Sequence, residues 1–367
     1  MPLGPQYIAS LKPYEPGLDA ETVRRRFGVE GAIKLSSNEN PLGVSPLAVE
    51  RMQQALAGSF RYPSGGRLLR ERLAEQFELK LENVIAGSGS EGIMANIVRT
   101  FLCDDDEVLT TEGTFPGFRV LVEGRGVAYR TVPYSNWTFH LPALAAAVTE
   151  KTKLIYLANP NNPTGTIFTR QQFAAFHAQV PSRVLIILDE AYFEFAKDDP
   201  AYPDSMHYRH DNVITLRTFS KAYGLASARI GYGFAHEDLI ASLLKVKLPF
   251  EPSGISEAGA RGALDDREFL HRTLENNARG LRTLTAGLRE IGIEAPVSHA
   301  NFVMALLDSP AHAKQVFEDL LRQGVIVRPL GSFGLPQCLR ISVGTPKENE
   351  RCVESFARVC SLEPALR

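Results

Sequence analysis

Residues 154–192 read LIYLANPNNPTGTIFTRQQFAAFHAQVPSRVLIILDEAY. Two short apolar runs, Leu154–Ala158 and Val184–Asp189, flank an amphipathic stretch, Arg170–Gln179. Each run has the length of a strand and is closed by turn-forming or charged residues. Strands that read as nearly unbroken apolar runs are covered on both faces. The same alternation continues outward in both directions. Further strands are expected at Asn83–Ala86, Glu107–Thr111, Val213–Arg217 and Ile230–Phe234, with helices at Glu91–Leu102, Phe115–Gly124 and Ala235–Lys245. Short buried strands alternating with helices predict an α/β fold with a largely parallel sheet flanked by helices. Ligands in such sheets bind outside the carboxyl ends of the strands.

The pattern changes after Leu248. The run LPFEPSGIS carries two prolines and a glycine and marks a boundary. Beyond it a long helix is expected over Glu257–Ile291, then a strand at Asn301–Leu306 and a helix at Ala311–Gln323. Strands at Val325–Arg328 and Cys338–Val343 and a last helix from Pro346 complete an α+β second domain. The first forty or so residues are rich in Pro and Gly and show little periodicity. The expected division is therefore an arm over 1–45 that partly joins the small domain, a large domain over 46–250, and a small domain over 251–367.

Composition narrows the function. The chain has 367 residues, 44% hydrophobic and 22% charged, with a net charge of −2, which is ordinary for a globular protein with a sizeable core. No basic excess exists to bind a phosphate backbone, so nucleic acid is not an expected partner. No apolar run reaches the roughly 18 residues of a membrane span. The opening residues lack a basic-then-apolar leader pattern, and the four cysteines are scattered without a CxxC pair, so a cytoplasmic protein is expected. No metal site is expected.

Chemistry gathers at the strand ends. Gly87-Ser88-Gly89-Ser90-Glu91-Gly92 follows the first strand and opens a helix. Backbone N–H groups at a helix N-terminus suit a phosphate, although Gly and Ser also make an ordinary turn. Asn159-Pro160-Asn161-Asn162-Pro163-Thr164-Gly165 presents Asn side chains on a Pro-stiffened loop, and reads equally as a plain turn. Asp189 ends a buried strand, where a carboxylate is costly without a cationic partner; a helix cap or structural ion pair would also place it there. Lys221 sits just past another strand, where desolvation would favour an imine-forming amine; alone it would be a solvated loop lysine. Arg229 lies eight residues further on, and Arg328 and Arg340 fall on two strands of the second domain, where each could grip an anion or make a structural bridge. The set is more telling than any member. Four strand ends carry a phosphate cradle, an Asn, an Asp and a Lys, and one ligand would use all of them.

Nearly end to end, the chain resembles a fold-type I pyridoxal-phosphate (PLP) aminotransferase of class I/II, in the histidinol-phosphate aminotransferase group. The motifs that carry the resemblance are Lys34-Leu-Ser-Ser-Asn-Glu-Asn-Pro-Leu-Gly43, Tyr62-Pro-Ser-Gly-Gly66, the NPNNPTG loop, Asp189-Glu-Ala-Tyr192, Ser220-Lys221 and Leu339-Arg-Ile-Ser-Val-Gly-Thr345. The resemblance implies a mainly parallel seven-stranded sheet in the large domain and PLP as cofactor. It implies that Lys221 forms the Schiff base and then shuttles the proton, and that Asp189 pairs with the pyridine nitrogen. Asn162 and Tyr192 would bond the phenolic oxygen and Phe115 would stack on the ring. Gly89, Ser90, Ser220 and Arg229 would surround the phosphate, with Glu91 beside them. Tyr62 would reach it from the other subunit of a homodimer. Tyr14, Arg328 and Arg340, with Asn162, would line the substrate end.

Three features bear on specificity. Many relatives carry Tyr in place of Phe115, Pro in place of Gly113, and Ala-Gly-Leu-Arg where this chain has Ala226-Ser227-Ala228-Arg229. The leading expectation is amino transfer between L-histidinol phosphate and 2-oxoglutarate. An aromatic amino-acid aminotransferase is the alternative. Decarboxylation of a phosphorylated amino acid and an inactive PLP-binding homologue are further ones; the complete Lys, Asp, Asn, Tyr and Arg set speaks against the last.

Overall fold

The structure is a computed structural model that describes residues 3–13, 17–207 and 209–361. Among these residues twelve strands form three sheets. In chain order they are β1 (Ile33–Lys34), β2 (Val84–Gly87), β3 (Glu107–Thr111), β4 (Ala128–Val132), β5 (Thr152–Ala158), β6 (Leu185–Asp189), β7 (Val213–Thr218), β8 (Gly231–Phe234), β9 (Phe302–Leu306), β10 (Val325–Ile326), β11 (Arg328–Pro329) and β12 (Cys338–Ser342).

The seven-stranded sheet runs β2-β8-β7-β6-β5-β3-β4. Its pairs are parallel except at β8, which is antiparallel to both neighbours. The reason these residues form strands is burial on both faces: every residue of β6 and β7 is buried, and Lys153 alone escapes in β5. Helices Gly89–Phe101, Pro116–Gly124, Arg170–His177 and Glu237–Val246 cover the sheet, close to the expected positions. The third of these starts on a reciprocal cap, in which Thr169 and Gln172 satisfy one another's backbone N–H. Strand β4 was not expected. It is an edge strand, and only Val132 in Ala-Tyr-Arg-Thr-Val is buried, so no apolar run betrays it.

Two elements of the second half differ from expectation. The long helix is two helices, Gly254–Asp265 and Arg267–Glu290. Asp266 breaks it: its carboxylate accepts from Phe269 N–H and from Ser45 Oγ at 2.6 Å, so it caps a new helix instead of continuing the old one. The expected strand Val325–Arg328 is likewise two strands. β10 pairs in parallel with β1 of the arm, while β11 pairs antiparallel with β12, and Val327 turns the chain between the sheets.

Two large cores result. One gathers the sheet's Val108, Ile155, Ile187 and Ile214 with Ile97 and Phe118 of the covering helices. The other gathers Val303, Leu320, Ile341 and Phe356 with Leu35 of the arm. We propose the division 1–45, 46–250 and 251–367 on this packing, with helix Gly254–Asp265 leaning back on the large domain through Ala260 and Leu264, which touch the cluster of Leu69 and Tyr232. Among the described residues no helix is long and apolar enough to cross a membrane.

Candidate active site

The carboxyl ends of β5, β6 and β7 open into a cavity of about 430 Å³. That is within the range of small-molecule sites. Asp189, Tyr192, Lys221 and Asn162 line it, together with Ser90, Glu91, Phe115, Ser220 and Arg229. The parallel register explains the gathering, since strands that end side by side release their next residues into one crevice.

At one end lies the N-terminus of helix Gly89–Phe101. Gly89 has φ +78°, and a Cβ there would stand 2.8 Å from Arg229 Nη2, so only glycine lets the guanidinium close over the turn. Arg229 itself adopts φ +48°, and Nη2 lies 3.7 Å from Glu91 Oε2. Oriented N–H groups, Ser90, Ser220 and a guanidinium form an anion cradle.

Asp189 is buried, and burial pushes its carboxyl up to about 6, against the hydrogen bonds that hold it down. Tyr156 donates to Oδ2 at 2.6 Å and Ala191 N–H to Oδ1 at 3.2 Å. A buried carboxylate of this kind calls for a cation in the cavity. Lys221 Nζ donates to Ser37 O at 3.3 Å and lies 5.9 Å from the centre of the Tyr192 ring. Burial, and then the charge of Arg340, push the Lys221 amine down to about 8. Its unprotonated form is thus accessible near neutral pH, as Schiff-base chemistry requires.

Residues of the arm and the second core stand behind two of the lining residues, Asn162 and Tyr192. Arg340 is buried on β12, donates to Asn162 Oδ1 at 2.5 Å and to Ser36 O at 2.8 Å, and lies over Phe302. Arg328, also buried, is its register partner on β11. Tyr192 Oη accepts from Asn38 Nδ2 at 2.8 Å. Asn38 sits in the left-handed region at φ +55° and exchanges hydrogen bonds with Ser342, tying the arm to β12.

The fold thus brings together nearly all the residues singled out in the sequence. Tyr62 is an exception within the single chain: it is 81% exposed and stacks on Phe250 away from the cavity. Tyr14 lies outside the described residues. Sequence reasoning assigned no role to Tyr156 or Asn38. Tyr156 could have been found as the one polar tip in the otherwise apolar run Leu154–Ala158, which needs an acceptor; Asn38 stood inside the motif Lys34–Gly43 with nothing in the pattern to single it out.

The observed groups fit PLP. The cradle suits its phosphate, the buried Asp189 its protonated pyridine nitrogen, the depressed Lys221 its aldehyde, and Phe115 offers a ring face. Fold and site together define a fold-type I transaminase, an enzyme class that works through PLP. The chain belongs to the aminotransferase class I and II family, whose model matches residues 30–356. It is 40% identical to a histidinol-phosphate aminotransferase of Akkermansia muciniphila, over 96% of this chain and 98% of that one. It is 42% identical to histidinol-phosphate aminotransferase 2 of Ralstonia nicotianae, over 99% and 97%. The crystal structure of histidinol-phosphate aminotransferase from Sinorhizobium meliloti in complex with pyridoxal-5'-phosphate superposes with a TM-score of 0.90 at 30% identity, covering 99% of this chain and 98% of that one.

Proposed function

We propose that the chain transfers the amino group of L-histidinol phosphate to 2-oxoglutarate, giving imidazole-acetol phosphate and L-glutamate, a step of histidine biosynthesis. The observation that carries this reading is the pair of buried arginines, Arg328 and Arg340, in register across β11 and β12, with Arg340 donating to Asn162. A pocket that accepts a phosphate in one half-reaction and carboxylates in the other needs cationic forks that serve both anions, and arginine does so in a bidentate way. Identity of about 40% to histidinol-phosphate aminotransferases over nearly the whole chain supports the same substrate.

Bound PLP supplies an electron sink for the donor's α-carbon. Lys221 would anchor the cofactor's aldehyde and would take and return the donor's α-proton. Asp189 would keep the pyridine nitrogen protonated. Asn162 and Tyr192 would hold the phenolic oxygen, and Phe115 would cover the ring. Gly89, Ser90, Ser220 and Arg229 bind the phosphate, with Glu91 fixing the arginine from the side. Tyr62, exposed here beside Phe250, completes the cradle of a second copy, so the active unit is a homodimer. The enzyme works in the cytoplasm on small molecules.

Steady-state kinetics with L-histidinol phosphate and with L-phenylalanine, each against 2-oxoglutarate, test the substrate. A higher kcat/KM for histidinol phosphate is expected. Faster turnover of phenylalanine or tyrosine would replace this reading with aromatic amino-acid transamination.

A further inference from the structure

Tyr156 lies in the middle of β5 with no exposed surface, between Ile155 and Leu157. Its ring stacks on Phe118 of helix Pro116–Gly124, centroids 4.4 Å apart and planes 19° off parallel. The packing would be as good with phenylalanine, so the core by itself does not call for the hydroxyl. The hydroxyl points at the site: Oη donates to Asp189 Oδ2 at 2.6 Å. Burial and the neighbouring carboxylate push its ionisation well above the usual tyrosine range, so it remains a donor. Asp189 Oδ1 is held by Ala191 N–H at 3.2 Å. With one donor on each oxygen, the plane of the carboxylate is set from both sides.

We propose that Tyr156 is a positioning residue for transamination, which keeps Asp189 ionised and oriented toward the cofactor's pyridine nitrogen. The proposal rests on the role given above to Asp189. A hydrogen bond to the charged form of an acid favours that form. It matters here because burial works against ionisation. Of the other charged groups that act on Asp189, Lys221 from the loop after β7 favours the carboxylate, and Glu91 from the helix after β2 opposes it. The Tyr156 hydrogen bond is the largest of the influences holding the Asp189 pKa down. Take it away and the Asp189 pKa moves further up. The neutral acid, which cannot balance a pyridinium, then persists to higher pH.

The test is Tyr156→Phe, which keeps the ring and its stack. Apoenzyme of the wild type and the variant is titrated with PLP between pH 5 and 9, and the dissociation constant is read from the absorbance of the bound cofactor. In the wild type the affinity should fall as pH drops through the Asp189 titration. In the variant that fall should begin about 1–2 pH units higher, the size of a lost hydrogen bond to a charged group. Turnover of the holoenzyme should drop about tenfold or more near neutral pH while KM stays nearly unchanged. In the Asp189→Asn background, Tyr156→Phe should cost less than about twofold further, because the two changes act on one interaction. Coincident pH profiles for wild type and variant, or an undiminished loss in the Asp189→Asn background, would overturn the role of Tyr156 alone. Wild-type apoenzyme that takes up no PLP would overturn the reading of the site as well.

Discussion

Arg328 and Arg340 stand directly opposite one another across the antiparallel pair β11–β12, and both are buried. Like charges at opposed positions of a sheet repel. A bound anion would offset that cost, and Arg340 reaches the cavity's lining through Asn162. Arg328→Ala should therefore lower kcat/KM for histidinol phosphate by at least roughly 30-fold, corresponding to about 2–5 kcal/mol for a buried charge left unpaired. Phenylalanine turnover should suffer less. Equal losses for the two donors would remove Arg328 from phosphate recognition.

Lys221 should carry the cofactor. Borohydride reduction of the holoenzyme followed by peptide mapping is expected to place the pyridoxyl mass on Lys221 and on no other lysine. Its amine titrates near 8, below an ordinary lysine. The reactive neutral form is therefore scarce well below pH 8 and dominant above it. Stopped-flow capture of PLP by the apoenzyme should accelerate about tenfold per pH unit below 8 and level off above it. A plateau reached only near pH 10 would mean that Lys221 is not desolvated as the structure places it.

Asp189→Asn should fold and still bind PLP, but turn over more slowly by about 10²–10³-fold, the usual cost of removing one preorganised electrostatic partner. Circular dichroism and cofactor absorbance separate loss of fold from loss of chemistry. Near-normal turnover in Asp189→Ala would exclude the assigned role.

Tyr62 tests the shared site. Lys221→Ala and Tyr62→Ala subunits are each expected to be inactive or nearly so. Mixed dimers would hold one site with both defects and one intact site, so activity should partly return after subunit exchange. Exchange shown by mass with no recovery would confine Tyr62 to its own chain.

Much of this is legible in the sequence. β5 and β6 announce themselves by the apolar runs Leu154–Ala158 and Leu185–Leu188, because strands covered on both faces are mostly apolar. The residue that ends such a run and is not apolar is therefore conspicuous, as Asp189 is. β4 was silent for the converse reason: an edge strand with one buried residue carries no such run. The break at Asp266 was missed because its cause is a partner 221 residues away, Ser45. The split between β10 and β11 was missed because each piece belongs to a different sheet, a choice that local pattern does not contain.

The sequence by itself determined the α/β alternation, the strand ends and the residue types waiting there, since burial and turn chemistry act over a few neighbouring residues. Only the tertiary structure decided how those residues are coupled. Tyr156 finds Asp189 because β5 and β6 lie side by side in parallel register. Asn38 finds Tyr192, and Arg340 finds Asn162, because the arm and the antiparallel sheet pack against the segments that follow β6 and β5. Which hydroxyl donates to which carboxylate depends on strand order and side-chain direction across the folded chain, and no periodicity along it encodes either.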